Sequence, residues 1–214
     1  TGGFVEDERL EAALELLLTT GDSQYADAIR GSTDSMGERF SFNAAVLVRA
    51  IPHMDEAYRE TIKQRTIRFM EEGRAFAGEN PFGVPITRGG WAGNGMIMNF
   101  AVSNYLLHRA FPDIVGPEAT FKGLDYLLGC HPGSNESFVS AVGAHSRDKA
   151  YGNNRADFSF IAGGIIPGVL VLKPDFPESK SDWPFFWGQN EYVITMGAPY
   201  IFLAHAVADL AANQ

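Results

Sequence analysis

The residue whose surroundings are best suited to acid–base chemistry is Glu191. It lies in WGQNEYVITMGAP, residues 187–199, directly after two amides and among aromatic and apolar residues. Two interpretations are open. An amide-then-glutamate start before an apolar run is a common way to begin a helix, because the polar side chains meet unpaired N–H groups. Alternatively, apolar and aromatic neighbours disfavour the charged carboxylate and keep an acid protonated, so that it can donate its proton.

Other common catalytic patterns are missing from the sequence. It contains no GxGxxG motif, no P-loop and no GxSxG elbow, which disfavours nucleotide binding and a serine hydrolase triad. None of the five histidines forms an HExxH-type pair, so a zinc site is not expected. The single cysteine, Cys130, excludes an internal disulfide.

Length and charge narrow the class of protein. The chain has 214 residues, 45% of them hydrophobic, which is enough to bury a core as one large domain or as part of a larger one. The net charge of -9, with no cluster of Lys or Arg, argues against nucleic acid and fits neutral or cationic partners. We expect no transmembrane helix and recognise no signal peptide in the start TGGFVEDERL.

The elements that must position Glu191 are helices. Apolar residues recur at helical spacing between turn signals, and the last helix is expected to begin near Asn190. Asp55 is the expected cap of the long fourth helix. The predicted helices cover 5–22, 22–31, 42–51, 54–77, 92–111, 116–130 and 190 to the end. The intervening stretch, residues 131–188, reads as loops with short extended pieces. A loop region of this length inside a compact domain is often functional.

Six segments, in order along the chain, resemble glycoside hydrolase family 9. The family patterns that they resemble are DELAWAAAELYRATGD, the WGSN helix, DYLLG-NP-G-SFVTGFG, a His-His-Arg signature, PGALVGGPD and NEVAIDWNAPLVYALA. The corresponding segments are EDERLEAALELLLTTGD, WAGNGMIMNFAVSNYLL, LDYLLGCHPGSNESFVSAVGAHS, YGNNR, PGVLVLKPD and NEYVITMGAPYIFLAHAV. Each match is weak alone, but six in order over most of the chain are fairly specific.

The resemblance implies an all-α fold, the C-terminal portion of an (α/α)6 barrel with long active-site loops. Residues 1–214 would form a single unit, the C-terminal half of a helical glycoside hydrolase catalytic domain. The implied activity is cellulase-like polysaccharide degradation: inverting cleavage of β-1,4-linked gluco-oligosaccharides or β-glucan, with Glu191 as general acid. Inversion needs a second carboxylate to activate water. The family's DAGD-type Asp pair is absent here, so we expect the N-terminal half of the same enzyme to supply the base.

The resemblance also suggests residues that bind substrate. Arg155 matches the Arg of the His-His-Arg signature, and its guanidinium can hydrogen-bond adjacent sugar hydroxyls. The alternative is an Arg that braces its loop through Asp157 or Asp148. Asn154, with Asn153, replaces the histidine pair of the family, which points to a changed sugar preference.

Three further side chains are candidates for substrate contact. Tyr151 and Trp187 are suited to stack on pyranose faces, although aromatic residues in loops also serve as packing. His145 is a further candidate, with a solvated bystander as the alternative. The resemblance requires no cofactor. It allows a structural calcium near Asp7 and Glu8, which the helix dipole explains more simply; no metal ligands are assigned.

Several functional alternatives remain. The first is an exo-acting member of the same family, β-glucosaminidase-like, which the acidic balance and the lost histidine pair favour mildly. The second is a catalytically silent carbohydrate-binding fragment. The third, a polysaccharide lyase on a similar barrel, fits poorly because its substrates are anionic. The expected partners are a β-linked oligosaccharide or polysaccharide and the N-terminal half, with no nucleic acid and no membrane. The family implies a secreted or periplasmic location.

Overall fold

A computed structural model describes residues 5–35, 39–86, 93–132, 134–147, 160–168 and 190–213. Its elements are α1 (Val5–Thr20), α2 (Ser23–Ser35), α3 (Phe40–Ala50), a 3-10 turn (Ile51–His53), α4 (Glu56–Ala77), α5 (Gly93–Ala110), α6 (Glu118–Leu127), β1 (Glu136–Ser137), β2 (His145–Ser146) and α7 (Ile194–Ala212). The expected all-α class is confirmed. The strands of the described part form only a short parallel pair.

Local sequence signals account for the starts of α1 and α4. The first turn of α1 carries three acids, which suit the positive end of the helix dipole. Asp55 precedes α4, and its Oδ1 accepts a hydrogen bond of 2.9 Å from the backbone N–H of Tyr58. The predicted cap is therefore confirmed, because this carboxylate satisfies an N–H that has no partner within the helix.

The structure corrects two predicted helix boundaries. The second helix does not end at Gly31 but continues to Ser35. Within it, Thr33 is buried and its Oγ1 donates a hydrogen bond of 2.8 Å to the carbonyl of Ile29. The last helix does not begin near Asn190: Ile194 is its first residue, and Val193, in an extended conformation, is its N-cap. Glu191 therefore lies before the helix.

The chain forms two compact units. The first contains the described parts of Thr1–Glu72 and Ser103–Gly116. In it α1 packs against α2 and α3, and its buried face is formed by leucines one turn apart, Leu10, Leu14 and Leu17. The carboxylate of Asp7 forms an ion pair with Arg39 and accepts a 3.1 Å hydrogen bond from the side-chain amide of Asn43. These contacts tie the start of α1 to α3.

The second unit contains the described parts of Gly73–Val102 and Pro117–Gln214. Its core consists of apolar residues from α5, α6, α7 and the segments between α6 and α7, together with Val84 and Ile86 before α5. Tyr126, Phe138 and Leu203 are all 1% exposed or less. This unit holds Glu191 and all the described residues of the late loop region.

The last helix, α7, is more apolar than the sequence analysis anticipated. It has 19 residues and a window of mean hydropathy 1.3, so by length and composition alone it resembles a membrane-spanning helix. Core helices of folded domains pass the same test. Met196 and Leu203 of α7 lie in the core of the second unit, whereas Ile194, Ile201 and Phe202 are 90%, 60% and 43% exposed. One face of α7 is thus packed and another is apolar and exposed.

Candidate active site

Glu191 lies in the short segment that leads into α7. The residue before it, Asn190, is 2% exposed, whereas Glu191 itself is half-buried. Within the part of the chain that the structure describes, no side chain caps α7, and its N-cap position belongs to Val193. The capping interpretation of Glu191 is therefore wrong for this helix. The acid interpretation stays a prediction, and a half-buried carboxylate on an anchored segment is compatible with it.

The segment of Glu191 is attached to the late loop region through Tyr192. The phenol oxygen of Tyr192 lies 2.7 Å from Oγ of Ser140 and accepts a 3.2 Å hydrogen bond from the backbone N–H of Ile161. The ring rests on Gly164, where a Cβ atom would lie 2.6 Å from it. Only glycine leaves room for the ring at this distance. The position of Tyr192 therefore depends on two stretches of the late loop region, one with Ser140 and the other with Ile161 and Gly164.

Two stretches of the late loop region pair with each other beneath Tyr192. Val139 and Ile165 form an antiparallel bridge. Backbone N–H groups of Ser140 and Gly163 donate reciprocal hydrogen bonds of 2.9 and 2.8 Å to the carbonyls of Gly164 and Ser140. These bonds hold residues 160–168 against residues 138–140.

A second attachment joins residues 165–168 to α5. The side-chain amide of Asn94, fully buried, donates a 3.0 Å hydrogen bond to the carbonyl of Ile166, and its backbone N–H donates one of 2.9 Å to Pro167. Gly168 has a φ of +64° and faces the same amide, where a Cβ atom would lie 2.3 Å away. Asn94 therefore acts as a brace between α5 and residues 165–168.

The loop region also contains a buried ion pair that the sequence analysis missed. Glu136 and Arg147 are 3% and 6% exposed, and Arg147 Nε lies 3.7 Å from Glu136 Oε1. The guanidinium also lies over the ring of Phe138, 5.9 Å from its centroid. The parallel pairing of β1 and β2 brings the two charges together. Glu136 is a poor candidate for a substrate-contacting carboxylate, because it is enclosed and paired.

His131 is buried in the same unit, among three aromatic rings. Its neighbours are Phe82, Tyr126 and Phe138, with ring centroids 4.6 to 5.3 Å from that of His131. Nε2 lies 2.7 Å from the carbonyl of Tyr126, which can only accept, so Nε2 carries the hydrogen. Nδ1 lies 3.1 Å from the hydroxyl of Ser134. Burial lowers the pKa of His131 to about 4, so this histidine is neutral near pH 7 and has a structural role.

The sequence-predicted binding residues fall into two groups. His145 lies on β2 opposite Glu136, and its side chain is exposed. It is thus accessible to a ligand, but its substrate contact stays a prediction. Tyr151, Asn154, Arg155 and Trp187 lie outside the described residues, and their predicted roles are untested.

The suggested calcium site is occupied by protein groups at Asp7. Both oxygens of this carboxylate are engaged, one by Arg39 and the other by Asn43. Over the described ranges, no group of three or more His, Cys, Asp or Glu side chains is arranged to hold a metal ion. Structural calcium elsewhere in the protein stays a prediction.

Comparison with known proteins identifies the fold. No family model matches the chain, and no curated protein matches its sequence. A solved structure of AaCel9A in complex with cellobiose-like isofagomine aligns over 98% of this chain with a TM-score of 0.73 and 20% identity. A single-mutant thermostable endoglucanase from Alicyclobacillus acidocaldarius aligns over 97% with a TM-score of 0.71 and 21% identity.

This chain spans 45% and 44% of those two proteins, less than half of their length. The likeness shows an all-α fold that matches part of the (α/α)6 barrel of the family 9 glycoside hydrolase type.

Proposed function

We propose that this chain is the acid-bearing part of a cellulase-like glycoside hydrolase that cleaves β-1,4-glucosidic bonds with inversion. The observation that carries the proposal is the position of Glu191, half-buried on an anchored segment within a fold of the family 9 type. The two similar solved structures, a thermostable endoglucanase and AaCel9A in complex with cellobiose-like isofagomine, agree with this substrate class.

In the proposed mechanism the carboxyl of Glu191 protonates the glycosidic oxygen as the bond to the anomeric carbon breaks. Water attacks that carbon from the opposite face. A second carboxylate, about 6.5–9.5 Å from that of Glu191, removes a proton from the attacking water. The product therefore has the inverted, α configuration. The chemistry requires no cofactor. A secreted or periplasmic location is part of the same proposal, since polymeric β-glucan lies outside cells.

Inversion is the direct test of this function. We expect the intact gene product to hydrolyse a β-1,4-gluco-oligosaccharide and to release the α anomer first, as followed by proton NMR before mutarotation. Early release of the β anomer would exclude single displacement. An oligomer of β-1,4-linked glucosamine serves as the second substrate, because the net charge of -9 and the two asparagines at 153 and 154 favour a cationic sugar. Faster cleavage of that substrate would support the exo-glucosaminidase alternative.

The base is proposed to come from a second helical segment, equivalent to the part of the solved structures that this chain does not cover. Two observations support such a partner. The sequence contains no DAGD-type Asp pair. In addition, α7 exposes Ile194 and Ile201, which lie two turns apart on one face of the helix. Exposed apolar patches of this kind are commonly covered by a partner.

Residues 1–214 expressed alone are therefore expected to self-associate and to bind a hydrophobic dye. The reason is the exposed pair Ile194 and Ile201 on α7, so Ile194→Lys combined with Ile201→Lys should reduce dye fluorescence. Leu16→Lys is the matched control, because Leu16 is also an exposed apolar helix residue, at 42%, but lies on α1. A monomer that unfolds cooperatively and binds no dye would refute the need for a partner.

Arg155 is proposed to hold sugar hydroxyls in this enzyme. Arg155→Ala should lower kcat/KM by an amount equivalent to about 1.5–3 kcal/mol of transition-state stabilisation, the range for a hydrogen bond to a charged group. The free energy of unfolding, measured by urea denaturation, should change much less. A loss of stability without a loss of kcat/KM would instead favour the loop-bracing alternative, in which Arg155 pairs with Asp157 or Asp148.

A further inference from the structure

We propose that Tyr192 and Ser140 are positioning residues for Glu191: a chain of directed hydrogen bonds through their hydroxyl groups fixes the segment that carries the acid. This inference rests on the proposed function of Glu191. It concerns two side chains 52 positions apart in the sequence, which the mechanism above does not use.

The direction of each hydrogen bond in this series is determined by the two terminal groups, the backbone N–H of Ile161 and the carbonyl of Arg147. The backbone N–H of Ile161 can only donate, so the oxygen of Tyr192 accepts at 3.2 Å. The carbonyl of Arg147 can only accept, so the hydroxyl of Ser140 donates to it at 2.7 Å. Ser140 has a single hydroxyl hydrogen. The hydrogen in the 2.7 Å contact between Ser140 and Tyr192 must therefore come from Tyr192.

The hydroxyl groups of Ser140 and Tyr192 thus each donate one hydrogen bond and accept another. Replacing either residue by an apolar one would remove at least one of these bonds. Ser140 is fully buried, and its own backbone is held by the pairing with residues 163 and 164. Tyr192 is fixed from the other side by Gly164. The paired segments 138–140 and 160–168 therefore fix the position of the phenol group.

This attachment acts on Glu191 through the backbone. Asn190, on one side, is 2% exposed, and Tyr192, on the other side, is hydrogen-bonded and packed. The two neighbours restrict the peptide units on both sides of Glu191, while its side chain is half-buried and accessible. A proton donor requires such placement, because a displacement of about 1 Å costs on the order of 10²-fold in rate.

The test is Tyr192→Phe in the intact enzyme, which keeps the ring and removes both hydrogen bonds. We expect kcat on a β-1,4-gluco-oligosaccharide to fall about 5- to 50-fold, part of the loss that misplacement of a catalytic group produces. The KM should stay within about 2-fold, because the ground-state contacts of the sugar do not involve the phenol. A dinitrophenyl glycoside, which needs little protonation, should lose less than about 3-fold.

Ser140→Ala should reproduce the same pattern and Ser140→Thr should restore activity, because threonine retains the hydroxyl. Tyr200→Phe is the matched control: Tyr200 is a partly buried tyrosine on α7 that packs against the same core, and its variant should keep full activity. The double variant Glu191→Gln with Tyr192→Phe should be no slower than Glu191→Gln alone, since both act on one proton transfer.

The outcomes separate the two proposals. Full activity of Glu191→Gln would overturn the proposed role of the acid, and with it the positioning role. Impaired Glu191→Gln with fully active Tyr192→Phe would overturn the positioning role alone. Equal losses on both substrates, or multiplicative losses in the double variant, would also overturn it, because they would indicate a structural defect that does not act through the proton donor.

Discussion

Glu191→Gln is expected to lower hydrolysis of a natural β-1,4-gluco-oligosaccharide by about 10²–10⁴-fold, the usual contribution of a general acid. The substitution preserves the size and hydrogen-bonding capacity of the side chain but removes the transferable proton. Glu191 does not cap α7, so loss of a helix cap cannot account for the effect. The measurement is kcat/KM for the intact enzyme, with the free energy of unfolding recorded in parallel.

The leaving group supplies the critical control. The dinitrophenolate group of a dinitrophenyl glycoside leaves without being protonated, so the same variant should retain most of its activity on that substrate. Asp209→Asn is the matched variant, because Asp209 is the only acid after Glu191 in the sequence and lies near the end of α7. It should leave both rates unchanged. If Glu191→Gln cleaves the oligosaccharide at the wild-type rate, the proton donor lies elsewhere.

The free energy of unfolding should fall as the pH is lowered from 7 towards 4, and His131 is the expected source. Burial lowers the pKa of this side chain from 6.5 to about 4 in the folded protein. Between these values the unfolded chain binds a proton that the native protein does not bind, so acid favours unfolding. The full contribution is about 3 kcal/mol, of which about 2 kcal/mol should be lost by pH 5.

Urea denaturation at pH 7 and pH 5 measures this effect, and His131→Asn should flatten the dependence between them because asparagine does not titrate. NMR titration of the wild-type imidazole provides an independent check that does not require a folded variant. A His131 ring that becomes protonated near pH 6.5 would contradict the assignment.

Local signals in the sequence predicted the helices well. The apolar spacing of α1 and the aspartate before α4 depend on contacts within a few residues, and both predictions were confirmed. The end of α2 was wrong because Gly31 only disfavours a helix, and the buried side of the helix at Ile29 and Thr33 continues past it. The start of α7 was wrong because a tertiary bond of Tyr192 keeps the preceding residues out of the helix.

The candidate site was predictable only in part. The resemblance of short motifs identified Glu191 and the loop region, and this required no knowledge of distances. The pairs Ser140 with Tyr192 and Glu136 with Arg147 join residues that no motif pairs with each other. A serine beside a valine or an arginine beside a serine has no signature in a single sequence, because the partner is chosen by the pairing of loops.

Gly164 has a consequence for the exchange of segments between related enzymes. A Cβ atom at this position would overlap the ring of Tyr192, at 2.6 Å, so residues 160–168 and residues 190–193 fit each other as a matched set. A chimera that imports either segment alone would place a side chain where the ring lies or leave the phenol oxygen without the backbone N–H that donates to it. The two segments, although distant in sequence, must therefore be exchanged together.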